Sequence, residues 1–519
     1  MIRAVITALA CNDIYGYQVF RTEYNGCKSF GCENLGNPDL SLYTPSTRLG
    51  YPAYFCPSCG AYPPKLLNQP ILGLAYHIER QRHNAISQFA PQCKCQQSIS
   101  LASHNNWRLY DKTRIGTLRV QCRHCHTVAS LNNPQKLANT LQPLMALLES
   151  GTAADELLTQ SNLNKKLFYQ RLHKLALLLE TFSALYEEKW LNEQQSLSLH
   201  TRSHVLRCRS GLTSVKHLGL DCWLLSTLDS QTGYQFLISD NLLPQSKAEQ
   251  DSGQACEELG EYTLDEIEQP VLPSHNILNT AKQTYHKIMS RQQFDKLAYC
   301  TREFAKSNEG TLLRPVYAAH AHMQNLRLRL TKKQNITLVL EHESFIRGAA
   351  ITAFADQVKP NTAAADGAVN LYYLHTFRCQ SPASLAGASA SNTKKLSWWH
   401  EQWHQFSHQY KNDHWQLGLG VLTQNVEIDN SLKQAVIPTR PDWHQHFWYH
   451  FDMWLPASAR KKISHTQLVQ LISIFRYIYN FSGKYISSGL YQKHEDCPIV
   501  FDWCSVERLA ELVNQQYIK

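Results

Sequence analysis

The sequence predicts a multidomain protein in which two cysteine-bearing ribbons and a helical segment precede a C-terminal α/β core. Three observations carry this prediction. Half of the 16 cysteines fall in tight pairs before residue 126, apolar residues then recur at helical spacing, and strand-like and helix-like stretches alternate further on. A chain of 519 residues has room for several domains. We expect four, over 1–75, 76–132, 133–192 and 193–519.

The composition is that of a soluble globular protein, with 43% hydrophobic and 18% charged residues. The N-terminus contains one short apolar run, too short for a typical signal peptide, and nothing approaches the roughly 18 apolar residues of a membrane span. Paired cysteines in a large chain of this kind favour metal binding over disulfides. A cytoplasmic location, with no membrane partner, is therefore expected.

Positive charge is concentrated near the N-terminus. The net charge is +9, and residues 61–136 alone hold ten Lys and Arg against Glu79 and Asp111. A local excess of this size is typical of a surface that binds a polyanion. A merely solvated basic face is the alternative on charge alone.

The first cysteine group has the spacing C-x4-C-x23-C-x2-C and the second C-x-C-x26-C-x2-C. Two short pairs supply the four soft ligands that tetrahedral Zn²⁺ prefers, so we predict two structural zinc ions in two zinc ribbons. The predicted ligands are Cys27, Cys32, Cys56 and Cys59, followed by Cys93, Cys95, Cys122 and Cys125.

Two alternatives to this ligand set stay open. The eight cysteines can instead be buried, unliganded core residues. Because the Cys93–Cys95 pair is unusually tight, a nearby histidine can also replace one thiolate of the second group; the candidates are His104, His124 and His126.

The pattern turns helical from Pro134. One amphipathic helix ends near Gly151, the residues Thr152–Asp155 form a capping-box pattern for a second, and a third runs from about Lys165 through Leu179. Helix, short helix, turn and a helix with a basic start is the layout of a helix-turn-helix. An ordinary three-helix packing unit is the alternative.

The C-terminal half begins with β structure over about 197–239 and continues through an acidic stretch that we interpret as an insertion at about 241–275. A long helix is expected from about 278 to 304. An apolar strand over 335–340 ends in Glu341, and a helix, another strand at 371–378 and a helix at 465–481 follow. A hairpin sheet continued by alternating strands and helices, with an acid at a strand end, fits an RNase H-like fold.

Four short motifs resemble those of bacterial insertion-sequence transposases of the DDE type. They are the knuckle GTLRVQCRHC at 116–125, the helical stretch that begins LLESG at 147–151, the hairpin LDSQTGY at 228–234 and EHESFIR at 341–347. Members of this family place zinc ribbons and a helix-turn-helix before an RNase H-like nuclease. The resemblance implies double-stranded DNA as partner, a homo-oligomer on that DNA, and Mg²⁺-dependent cutting and joining of strands.

The implied site residues follow from these motifs. The DNA-binding candidates are Lys165, Lys166, Tyr169 and Arg171 of the third helix and Arg114, Arg119 and Arg123 of the second ribbon. The catalytic candidates are Asp221, Glu341, Glu343 and Asp429, with Glu427 as an alternative to Asp429.

The catalytic set departs from the family pattern. The strand over 196–204, where the family has its first Asp, contains no acid, and the second acid is a glutamate. A non-catalytic, transposase-derived regulator or accessory protein is therefore a competing expectation. A zinc-stabilised RNA-binding protein or nuclease is a third.

Overall fold

The computed structural model describes residues 20–49, 52–87, 93, 107–131, 134–209, 219–244, 274, 276–290, 310–330, 335–358, 367–379, 393–396, 401–423 and 436–481. Residues 245–273 of the predicted acidic insertion, Cys95, His104, Glu427 and Asp429 lie outside these residues, whereas 242–243 form a short strand. The described part is mixed α/β, with one large mixed sheet and cysteine clusters near the N-terminus.

The strands, in chain order, are β1 (Thr44–Ser46), β2 (Ala53–Phe55), β3 (Trp107–Lys112), β4 (Leu118–Cys122), β5 (Val128–Ser130), β6 (Ser196–Arg209), β7 (Gly219–Asp229), β8 (Gln235–Asp240), β9 (Leu242–Leu243), β10 (Thr311–Leu312), β11 (Asn335–Leu340), β12 (Val369–Cys379), β13 (Thr393–Leu396), β14 (Glu401–Tyr410) and β15 (Asp413–Val421). The α-helices are α1 (Asn68–Ser87), α2 (Pro134–Glu149), α3 (Leu157–Gln160), α4 (Lys165–Glu193), α5 (Ile277–Ser290), α6 (Pro315–Arg329), α7 (Ser344–Ala353), α8 (Ala355–Val358), α9 (Trp443–Trp454), α10 (Ala457–Arg460) and α11 (His465–Phe481).

Eight strands form the large sheet in the order β13-β14-β15-β12-β11-β6-β7-β8. β6, β7 and β8 are successive antiparallel neighbours, and β6 also pairs in parallel with β11. β12 continues the sheet in parallel beside β11, after which β15 and β14 return antiparallel. The central parallel strand β11 is mostly apolar and ends in three successive buried residues, Leu338–Leu340, as expected where helices cover a sheet.

Helix α6 lies against β7, β8 and α7. Every residue from Pro315 to Leu326 is buried, so no polar stripe marks the helix and the sequence pattern did not reveal it. Both ring nitrogens of His322 in this helix form hydrogen bonds. Nε2 lies 2.8 Å from the Thr227 hydroxyl and Nδ1 lies 2.7 Å from the Ser239 hydroxyl. The Thr227 hydroxyl in turn lies 2.7 Å from that of Thr201, so a buried chain of hydrogen bonds crosses three strands.

The chain divides into two compact units that do not follow the four predicted segments. One comprises Arg21–His77 and Leu191–Trp448, so it joins the first cysteine cluster to the large sheet. Gly36 of that cluster packs on Ala355, and the Arg21 guanidinium donates to the carbonyls of Gly36 and Thr352. The N-terminal module is thus part of the same unit as the helices beside the sheet.

The other unit comprises Met1–Phe20, Ile78–Trp190 and Tyr449–Lys519. In its described part, α4 packs against α11 through edge-on contacts of Phe182 with Tyr477 and Phe481. Arg476 of α11 reaches Glu180 at 2.7 Å and the fully buried Glu187 at 3.2 Å. Arg82 donates to the second oxygen of Glu187 at 2.8 Å, so one buried carboxylate joins three helices.

Several predicted elements differ in extent. The third helix of the helical segment runs to Glu193 rather than to about Leu179. The second is a single turn that begins at Leu157, and no side-chain cap forms at Glu156, so the predicted capping box at Thr152–Asp155 is wrong. Instead the Thr152 carbonyl accepts a hydrogen bond from the Trp454 indole at 3.1 Å. The helix expected over 278–304 is described only as far as Ser290.

Candidate metal centres and nucleic-acid interface

The first cysteine cluster has the geometry of a metal site. One ligand atom from each of Cys27, Cys32, Cys56 and Cys59 lies within 4.8 Å of all the others. The Cys32 and Cys56 sulfurs are 3.8 Å apart and those of Cys27 and Cys59 3.4 Å apart. A tetrahedron with Zn–S bonds of about 2.3 Å has edges of about 3.8 Å. Four thiols at this spacing can therefore hold a metal ion such as zinc.

Local backbone turns bring these thiols together. Gly31 (φ +80°) precedes Cys32 and Gly60 (φ +73°) follows Cys59, so each knuckle uses a left-handed conformation that glycine adopts without strain. The Tyr43 hydroxyl, packed against Cys27 and Cys56, donates towards the carbonyls of Asn34 and Asn37, which lie 2.9 and 3.0 Å away. It also accepts from the Cys27 amide at 3.2 Å, which holds the first knuckle in place.

The donor set fits a cation electrostatically. Burial raises the pKa of the Cys27 thiol, and it raises the pKa of Cys32 to about 11. Only thiolates bind metal tightly, so a cation must supply the energy that deprotonates these buried groups. The backbone amide of Ser29 donates to the Cys27 sulfur at 3.5 Å, and the side-chain amide of Asn34 donates to the Cys56 sulfur at 3.8 Å. Such donors stabilise thiolates.

The second cluster contains Cys93, Cys122 and Cys125, whose sulfurs also lie within 4.8 Å of one another. The predicted fourth ligand, Cys95, lies outside the described residues. Among the residues the structure describes, no histidine joins this group; His124 and His126 are exposed on the knuckle. Strands β3, β4 and β5 form a small antiparallel sheet that positions the Cys122–Cys125 knuckle.

The predicted basic residues of this module lie at its surface. Arg114 and Arg123 are exposed, whereas Arg119 pairs with Asp111 and places its guanidinium 5.7 Å from the Tyr110 ring centre. Arg119 therefore neutralises Asp111, the one acid between residues 107 and 131, and the other basic side chains of this stretch keep a net positive charge.

The start of α4 presents a second basic surface. Lys165 and Lys166 are exposed in its first turn, and the Asn164 side chain caps the helix by accepting from the Leu167 amide at 2.9 Å. Tyr169 and Arg171 are half-buried one turn further along. These four residues and the second cysteine cluster belong to the same compact unit.

Glu341, directly after the C-terminal end of the central strand β11, is the best-placed of the catalytic candidates. The Glu341 amide donates to the Thr201 carbonyl of β6 at 3.0 Å. Its carboxylate accepts from the Ser203 amide at 2.8 Å and from the Ser203 hydroxyl at 2.6 Å. The next acid, Glu343, is the N-cap residue of α7, and its carbonyl accepts from the Tyr373 hydroxyl at 3.3 Å.

Asp221 does not lie beside Glu341. It opposes Arg207 on β6 and forms a bidentate ion pair with that side chain. Arg207 is four residues beyond Ser203, a separation of roughly 13 Å along a strand, whereas paired catalytic metals sit roughly 4 Å apart. The structure therefore does not bring these two candidates together, and the third candidate, Asp429, lies outside the described residues.

Arg202, next to Ser203 in β6, interacts electrostatically with Glu341. Glu341 and Asp442 both act on the Arg202 guanidinium, but burial is the larger effect and lowers the pKa of Arg202. The same guanidinium lies 3.4 Å from the Leu374 carbonyl. Ser203 was not predicted as a site residue, because only the register of β6 against β11 shows that it lies beside Glu341.

Two further findings complete the description. Within the described ranges, no helix combines the length and apolarity needed to cross a membrane. A scan against protein-family models gave no match, and a search of curated proteins found no significant relative.

Proposed function

We propose that the protein binds double-stranded DNA through the unit that contains the second cysteine cluster and the start of α4. The observation that carries this proposal is the pair of exposed basic surfaces, on the knuckle around Arg123 and at Lys165 and Lys166. Such side chains neutralise phosphates, and a capped helix start adds a favourable dipole. We further propose that both cysteine clusters hold Zn²⁺, with Cys95 as the fourth ligand of the second.

The strand order supports an RNase H-like scaffold for this binding function. Three antiparallel strands (β8, β7, β6) are followed by two parallel ones (β11, β12), with α6 and α7 as connections. This is the arrangement expected for the core of DDE-type transposases, the family that the motifs resemble. We therefore propose that the protein is derived from a transposase. In this proposal it works in the cytoplasm as a homo-oligomer on DNA.

A binding role is favoured over catalysis by the surroundings of Glu341. Hard Mg²⁺ ions need several carboxylate oxygens near one another. Here one oxygen of the Glu341 carboxylate accepts both hydrogen bonds from Ser203, and Asp221 is engaged with Arg207. In this proposal the core is a scaffold that positions DNA rather than a nuclease.

Binding is tested with the full chain and duplex DNA at low salt. Replacing both Lys165 and Lys166 with Ala removes up to two phosphate contacts, so the slope of log affinity against log salt should fall by about 2. The matched control is the same double change at Lys461 and Lys462, which are also adjacent and exposed. Absence of duplex binding by the unaltered protein, or equal losses in both variants, would overturn the proposal.

Mg²⁺-dependent DNA cleavage is the second candidate, favoured by the position of Glu341 at the end of β11. If the protein is an enzyme, the full chain nicks duplex DNA with Mg²⁺ or Mn²⁺. The Glu341→Ala variant should then abolish nicking and keep DNA binding. If preparations that bind DNA nick it with neither metal, only the binding role remains.

A further inference from the structure

The β3–β4 hairpin ends in a rigid tip formed by residues 113–117. The Thr113 amide donates to the Thr117 carbonyl at 2.8 Å, and the Gly116 amide to the Thr113 carbonyl at 2.9 Å. The Thr117 amide adds a third bond, to the Thr113 hydroxyl at 3.0 Å. Gly116 has φ +80°, which closes the turn. Arg114 and Ile115 are therefore held at the apex rather than on a loose loop.

Ile115 at this apex is 76% exposed, the highest value among the large exposed hydrophobic side chains of the described residues. An isolated exposed aliphatic residue needs no explanation by itself. Here, however, it projects from a preformed turn, and its sequence neighbour Arg114 is exposed as well. The apex thus presents one apolar and one cationic side chain together.

The surroundings of the tip carry positive charge. Lys112 is exposed beside the tip, Arg123 is exposed just beyond the far end of β4, and Asp111, the one acid between residues 107 and 131, is paired with Arg119. The bulge between Leu109 and Asp111 leaves Tyr110 as an extra residue in β3, and bulges increase the local twist of a hairpin. A twisted basic hairpin complements the phosphates that border a DNA groove.

We propose that this tip enters the minor groove of duplex DNA, with Arg114 in the groove and Ile115 wedged against a base step, so that the bound DNA is bent. The proposal rests on the DNA-binding function above and names the mode of contact. Arginine is attracted to the strong negative potential of a narrow minor groove, and isoleucine is among the residues that unstack base steps there. Lys112, beside the tip, contacts the phosphates that flank the groove, and Arg123, at the other end of β4, contacts a phosphate further along the duplex.

The test uses the full chain and duplexes of about three helical turns, rich in either A·T or G·C pairs. The duplexes are labelled at both ends so that energy transfer reports bending, and affinity is measured in parallel across a salt series. The unaltered protein should bend the A·T-rich duplex. The Ile115→Ser variant should lose the bend and keep the salt slope, because no charge is removed. The Arg114→Ala variant should lower the salt slope by about 1 and weaken A·T-rich binding by roughly tenfold.

Leu109→Ser is the matched control, since Leu109 is an exposed aliphatic side chain of the same hairpin away from the tip. It should bend DNA like the unaltered protein. If the unaltered protein binds duplex DNA without bending it, or if Ile115→Ser bends it equally, the tip proposal is overturned while DNA binding stands. If the unaltered protein prefers RNA, or binds no duplex at low salt, both proposals fail.

Discussion

The carboxylate of Glu341 is held by Ser203, which donates from its amide at 2.8 Å and from its hydroxyl at 2.6 Å. This contact links the end of β11 to the middle of β6, where a two-metal nuclease requires a second carboxylate. Both hydrogen bonds reach the same carboxylate oxygen, Oε2. The hydrogen bonds between Ser203 and Glu341 therefore bear directly on whether the C-terminal end of β11 is part of a catalytic centre or of a scaffold.

Replacing Ser203 with Asp should create a divalent-metal site. The new carboxylate would stand within a few ångströms of Glu341, so the two charges should lower the stability of the metal-free protein by about 1–3 kcal/mol. Mn²⁺ or Mg²⁺ should restore it, because a cation binds both groups. Thermal unfolding with and without metal measures the effect, and Ser203→Asn is the uncharged control. An identical response of the two variants to Mn²⁺ would contradict the prediction.

Metal removal should act on each cysteine cluster separately. We expect about two zinc ions per chain, and binding of structural zinc contributes about 10–16 kcal/mol to the folding of small modules. Cys56→Ser should release one ion and expose the first module to protease, and Cys122→Ser should do the same for the second. Cys208→Ser, at a buried cysteine outside both clusters, is the control and should retain the full metal content. Elemental analysis that finds no zinc, or absorbance typical of iron–sulfur clusters, would refute this assignment.

The buried Glu187 should matter far more than an exposed acid in a similar ion pair. It serves both Arg82 and Arg476, so Glu187→Gln leaves Arg82 without its counter-ion and Arg476 with Glu180 alone, and should cost about 3–5 kcal/mol. Asp413 pairs with the exposed Arg378, and Asp413→Asn should cost at most about 1 kcal/mol. Denaturant unfolding measures both, and comparable losses would show that Glu187 is not the junction we describe.

Acid should destabilise the protein partly through His322. Burial, aided by the charge of Arg329, lowers the pKa of His322 to about 3, against 6.5 in an unfolded chain. Between these values the unfolded chain binds the extra proton, so stability falls as pH drops from about 6.5 towards 3, by up to 1.4 kcal/mol per pH unit for this group.

His322→Gln retains a donor and an acceptor for Thr227 and Ser239 and should make the stability less dependent on pH between about 6.5 and 4. Unfolding midpoints of this variant and of the unaltered protein, measured at several pH values, check the prediction. A pH profile of His322→Gln that matches that of the unaltered protein would exclude His322 as a contributor.

Local pattern was enough to place several elements. The strand over 335–340 and the helix over 465–481 appear with the predicted ends, because an apolar run closed by acids and a clear period of three to four residues are strong short-range signals. The first cysteine group could likewise be predicted from spacing alone. Two short pairs restrict a metal site so tightly that the fold has few other ways to use them.

Other features were decided only by the tertiary structure. Helix α6 was missed because it is buried on all sides and therefore has no amphipathic pattern. The β6–β11 register, which places Ser203 rather than an acid beside Glu341, depends on pairing between residues more than 130 positions apart. The β6–β7 register places Asp221 opposite Arg207. Sequence pattern reports which residues prefer to be buried along one element. Strand register and packing determine which side chains meet across elements. Whether Glu341 lies beside a second acid or beside Ser203 therefore depends on the tertiary structure.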